Sequence, residues 1–232
     1  MPATLVYVLA LTACHHWLRR ESAEVHRRAE AAIVVARDYG FPYWLAWAKI
    51  LRGWALAEQG NDAEGLAQVR EGIDDYDATG AGIGRPLNLA LLACAHRKAG
   101  SCDLALEALD QALAVTDAAQ IRCWEAELHR LKGELLLEQG GARRARKKAR
   151  GRRDEVAEAE RCFLRAIEIA RSQQARSWEL RAATSLARLW QRRRKSREAH
   201  RLLAEISGWF EEGSSASDLE EAKSLLAELD GG

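Results

Sequence analysis

Apolar residues recur three and four positions apart along most of this chain. The run Leu45, Ala48, Leu51, Ala55 and Leu56 is one example, and such spacing draws a single buried stripe down a helix. Glycine-closed polar breaks separate the stripes. Gly60, Gly100 and Gly140 each follow one kind of helix, and Gly40 and Gly80 follow its partner. Asn61, Ser101 and Asp103 offer N-cap oxygens, and Pro42 and Pro86 sit near helix starts, so the pattern predicts helices paired through short turns. Strand signals are essentially absent.

A longer period is superposed on the helical one. Small residues stand at Ala13, Gly53, Ala93 and Gly133 in steps of 40, then at Ala187 after a step of 54. A second track runs Ala32, Gly72, Ala112 and Ala166 and ends on the bulky Ile206; a third runs Val25, Gly65, Ala105, Ala159 and Ala199. Two helices cross closely only where side chains are small, which is the physical reason for such tracks. The lengthened step marks one insertion. Trp44, Trp124 and Trp178 share one repeat position, with Gly84 the exception, and are expected to wedge between repeats. The pattern predicts an all-α, right-handed solenoid of about five helical hairpins forming a single domain over 1–232. Its repeats are expected at 4–40, 42–80, 84–120, 121–174 and 175–212, with a helix over 217–230, capped by Ser217, sealing the end.

Composition narrows the function classes. With 48% hydrophobic and 30% charged residues the chain reads as an ordinary folded protein. The balance of 35 basic against 34 acidic residues hides an asymmetry, because 141–153 carries eight Arg or Lys and no acid; without it the balance is 27 against 34. An acidic body with one basic, flexible insertion is a poor match to a dedicated nucleic-acid binder, which spreads cations over a face. The insertion itself offers a salt-sensitive contact to phosphate or an acidic membrane surface, without interleaved aromatics for base stacking. Five cysteines, at 14, 94, 102, 123 and 162, fall within helical patterns and read as reduced packing residues of a cytoplasmic protein. The opening segment reads as a buried first helix rather than a signal peptide, since its basic pair follows the apolar stretch, and no stretch is long enough to span a membrane.

Candidate chemistry is sparse. Cys14, His15 and His16, with Cys94 and His96 further on, invite a metal reading, but adjacent His side chains on a helix diverge by about 100°, so no metal site is expected. Ser185 lacks a sharp glycine-framed turn, and no catalytic residue or cofactor is expected. What remains is a groove lined by the first helix of each hairpin. The repeat grid assigns to it Trp47 and Trp54, then Arg97 and Lys98, then Glu127, Arg130 and Glu134, then Arg181 and Arg188. That gradient from aromatic to basic suits a protein or peptide ligand with an apolar anchor and acidic residues.

The small and large positions around Leu92, Ala93, Ala105, Leu109 and Ala112, and again around Ala159, Phe163 and Ala166, are of the tetratricopeptide (TPR) type, stretched beyond its usual 34 residues. The segments FPYWLAWAKILRGWALAEQG, WEAELHRLKGELLLEQG, EAERCFLRAIEIARSQQARSWELRAATSLARLW and GWFEEGSSASDLEEAKSLLAEL resemble the C-terminal TPR region of large bacterial adenylate/guanylate cyclase-type signalling proteins. In that family a cyclase domain and a P-loop ATPase module precede the array, so the resemblance implies a sensor or regulatory region whose partners are cyclase or ATPase modules. No phosphate loop and no paired metal-binding aspartates occur here, so neither activity carries over to any residue. Starting directly on the array, the chain is expected to be a separated fragment or stand-alone regulatory piece. The alternatives are a TPR regulator of a transcription-linked ATPase, or nucleic-acid contact through 141–153.

Overall fold

The computed structural model describes the backbone of residues 1–145, 152–210 and 217–231, and side chains over 1–140, 154–210 and 217–231. Among these residues there are eleven α-helices, one 3-10 turn and no strand. In chain order they are α1 (Pro2–Leu18), α2 (Ser22–Tyr39), α3 (Pro42–Glu58), α4 (Asp62–Ala78), α5 (Arg85–Lys98), α6 (Cys102–Ala119), the 3-10 turn Arg122–Trp124, α7 (Glu125–Ala145), α8 (Arg152–Ser172), α9 (Arg176–Arg192), α10 (Ser196–Ser207) and α11 (Ser217–Asp230). Consecutive helices pair into five hairpins, and α11 packs on both α9 and α10, as α5 packs on both α3 and α4. The chain divides into two compact units, Met1–Ile121 and Arg122–Gly232.

The small tracks are where the paired helices touch. A Cβ on Gly65 would lie 2.6 Å from the Gly53 carbonyl oxygen and the Ala57 nitrogen, and one on Gly72 would lie 2.7 Å from Ile50. Backbone therefore meets backbone at the α3/α4 crossing, and larger side chains from neighbouring helices fill the grooves alongside. In the second unit Phe163 fills the space a Cβ on Gly133 would need, at 2.5 Å, and joins a core with Leu180, Leu186, Leu203 and Leu225. In α1, Val6, Ala10, Ala13, Cys14 and Trp17 are buried, so the opening stretch is a packed helix.

The turns differ from expectation in two respects. Asn61 and Ser101 do stand at N-cap positions, but neither side chain makes a capping hydrogen bond. The turn closes through backbone instead: Gly60 is left-handed at φ +89°, and the Asn61 N–H reaches back to the Leu56 carbonyl at 3.0 Å. Gly140 does not close its helix. α7 continues through it to Ala145, and Gly140 lies where a Cβ would come within 2.7 Å of Glu155 on α8, so both helices of this hairpin are lengthened. The central part of the basic insertion, 146–151, lies outside the described residues, as do all side chains of 141–153.

Of the cysteines, Cys14 and Cys162 are buried and Cys94 and Cys102 partly so, but Cys123 is exposed because it falls in the 3-10 turn rather than on a helix stripe. Among the described residues no helix is long and apolar enough to cross a membrane.

Candidate interaction surface

In the first unit the aromatic residues assigned to the groove are core residues. Trp47 is 8% exposed and Trp54 6%. Trp47 packs against Trp44 with ring centroids 5.9 Å apart, and Trp44 meets Tyr7 edge-on at 5.5 Å and Tyr43 at 4.8 Å. Tyr43 in turn lies 5.4 Å from Tyr76, whose hydroxyl accepts the Gly84 N–H at 2.9 Å. Burial, then the neighbouring Tyr76, push the Tyr43 hydroxyl up to about 12. Trp47 and Trp54 are therefore packed within the array rather than presented to a ligand. Lys98 binds Glu58 of α3 at 2.9 Å and is about one-third exposed, while Arg97 is part-exposed beside it.

In the second unit the assigned charges converge. Arg130 donates twice to the Glu127 carboxylate, at 2.7 Å each, and once to Glu134 at 2.5 Å. Arg181 lies 3.5 Å from Glu127 Oε1, which Arg130 also reaches, and donates to Asp218 of α11, from Nε at 3.0 Å. Glu134 also accepts from the Ser185 hydroxyl at 2.9 Å. Glu127, Arg130 and Arg181 are buried, so each charge is held by opposite charge rather than by water. The Arg181 guanidinium also lies 4.9 Å from the Trp178 ring centroid, and Trp178 meets Trp124 edge-on at 6.3 Å, the expected wedge between repeats. Arg188 is exposed and pairs with Glu221 of α11, and Gln191 reaches Glu228 at 3.4 Å. α11 thus takes the place of a next first helix, with acidic residues facing the basic row of α9.

The opposite signs of Glu127 and Arg181 at one repeat position were a readable signal for a pair. Asp218 and Glu221 lie past the last repeat, where the grid assigns no partner, and were missed.

The metal candidates are not assembled. His15 and His16 rings are 5.7 Å apart at 69°, His16 Nδ1 lies 2.5 Å from Glu21, and His96 contacts Arg70 at 3.4 Å instead. Among the described residues no group of three or more His, Cys, Asp or Glu could hold a metal ion. Burial, then the Arg70 charge, pull the His96 pKa below its ordinary value.

No protein-family profile matches the chain. An uncharacterised Rhizobium meliloti protein is 31% identical over 140 residues, covering 60% of this chain but only 12% of that protein. Among solved structures, TPR-like repeats from Podosopora anserina, from a protein described as a kinesin light chain, align over 98% of this chain and 97% of theirs with a TM-score of 0.51 at 16% identity. A point variant of those repeats aligns over 89% and 94% with a TM-score of 0.53 at 18% identity. The fold is a TPR-like helical repeat. At that level of identity the likeness speaks to architecture alone.

Proposed function

We propose that this chain is a non-catalytic protein-interaction module that holds a polypeptide ligand on the first helices of its hairpins. The observation behind this reading is the TPR-like array of hairpins, in which the first helices of each unit carry side chains at recurring repeat positions along one face. The ligand-facing residues are the partly or fully exposed members of the groove set. They are Arg97 and Lys98 in the first unit, and Glu134 and Arg188 in the second. Trp47 and Trp54 in the first unit, and Glu127, Arg130 and Arg181 in the second, stiffen each unit's own first helices from beneath.

The finer reading is a regulatory region related to the C-terminal array of cyclase-type signalling proteins, acting on cyclase or ATPase modules. Its support is the resemblance of the four quoted segments, together with a relative in which the matched stretch is a small part of a much longer protein. Regulation of a transcription-linked ATPase is the alternative context for the same surface. Nucleic-acid contact through 141–153 rests on the eight cations of that segment alone.

The test is capture from cell lysate by the intact purified chain at low and high salt, with Arg97→Glu and Arg188→Glu variants in parallel. A discrete polypeptide held at high salt, and retained at least tenfold less by a variant of unchanged Tm, supports the groove. Indifference of every captured polypeptide to both variants overturns it. A cyclase or ATPase among the retained chains favours the finer reading, whereas a DNA mobility shift lost on deleting 142–153 favours the nucleic-acid one.

A further inference from the structure

The outer face of α1 is apolar and uncovered, and the counterparts of its Val8, Leu11 and His15 on the next two first helices are buried. Leu5 and Val8 are each 50% exposed and Leu11 is 39% exposed, with Tyr7 and His15 exposed beside them. One repeat on, Ala48, Leu51 and Ala55 occupy the positions of Val8, Leu11 and His15, and all three are at 0%. One repeat further, Asn88, Leu91 and Ala95 are again buried.

What covers that face in α3 is visible. Arg52 pairs with Glu30 of α2, and Gln59 contacts His26 at 3.1 Å and the Ser22 carbonyl at 3.3 Å, so the line Ala48, Arg52, Ala55 and Gln59 lies against α2. The same line on α1 is Val8, Thr12, His15 and Arg19. Between Pro2 and Leu18 α1 carries no Asp, Glu, Lys or Arg, so the place of the Arg52–Glu30 pair is taken by the neutral Thr12.

We propose that the outer face of α1 is a stacking surface for a helical hairpin of this same repeat type. Its second helix lies across Val8, Thr12 and His15 as α2 lies across Ala48, Arg52 and Ala55, with an uncharged residue in the place of Glu30. This docking is separate from ligand binding on the first-helix face, and its failure leaves that reading intact.

The register supplies its own test. Pro2 stands one repeat before Pro42, so a copy of residues 2–41 carrying Glu30→Gln and placed directly ahead of Pro2 joins the chain through the same Gly40–Phe41–Pro connection that already links α2 to α3. This extended chain should melt roughly 5 °C or more above the parent, because each repeat is stabilised by its neighbour. Val8→Glu and Leu11→Glu in the original α1 should leave the parent's Tm unchanged and abolish the gain in the extended chain. An extended chain no more stable than the parent, or a gain indifferent to both substitutions, overturns the proposal. So does a parent that light scattering shows to be a dimer and that Leu11→Glu converts to monomer, since the occupant would then be a second copy.

Discussion

Arg181 of α9 and Asp218 of α11 form a buried ion pair that ties the C-terminal helix to the hairpin beneath it, with Arg181 Nε donating to Asp218 Oδ2 at 3.0 Å. The pair lies in one line with Glu127, so a single guanidinium serves two carboxylates carried by separate helices.

Removing Arg181 takes one cation away from two buried carboxylates. Arg181→Ala should lower stability by about 3 kcal/mol in urea unfolding, because Glu127 and Asp218 lose a shared partner. Asp218→Asn should cost less, since Arg181 keeps Glu127. A double-mutant cycle with no coupling between positions 181 and 218 would contradict the assignment.

Trp54 separates core from groove. At 6% exposure, Trp54→Ala should lower stability by about 3–5 kcal/mol through lost burial and the cavity left behind. A melting temperature unchanged by this substitution would return Trp54 to the ligand surface.

Gly65 lies in helix α4, where alanine is ordinarily the better helix former by about 1 kcal/mol. Here contact decides the sign. A Cβ at 2.6 Å from two backbone atoms forces α3 and α4 apart, and Gly65→Ala should destabilise by about 2 kcal/mol or more. Gly82→Ala, where nothing lies within 4 Å of a Cβ, is the matched control and should be near neutral.

His96 gives the fold an acid-side sensitivity. Its folded-state pKa lies below the ordinary 6.5, so protons bind the unfolded chain more readily, and the contribution is complete above 6.5 and lost as pH falls below it. Denaturation midpoints should therefore fall between pH 7 and 5, and His96→Gln should flatten that slope. An unchanged slope in the variant would remove His96 as its source.

Much of this architecture could be read from one dimension. Helix pairing follows from stripes of apolar residues broken at glycine, and the crossings follow from the tracks through Gly53, Gly65 and Gly72, because close approach of two backbones leaves no room for alternatives at those positions. Periodicity locates a side chain on a face but does not say what covers the face. Trp47 and Leu5 both fall on first helices, yet Trp47 is sealed by its neighbours while Leu5 is half exposed, since only the former has a helix on each side. The charges show the same division. Their residue types and spacing are plain in the chain, whereas the pairing of Arg181 with Asp218 depends on where α11 packs, and a helix beyond the last repeat has its place set by contact rather than by period.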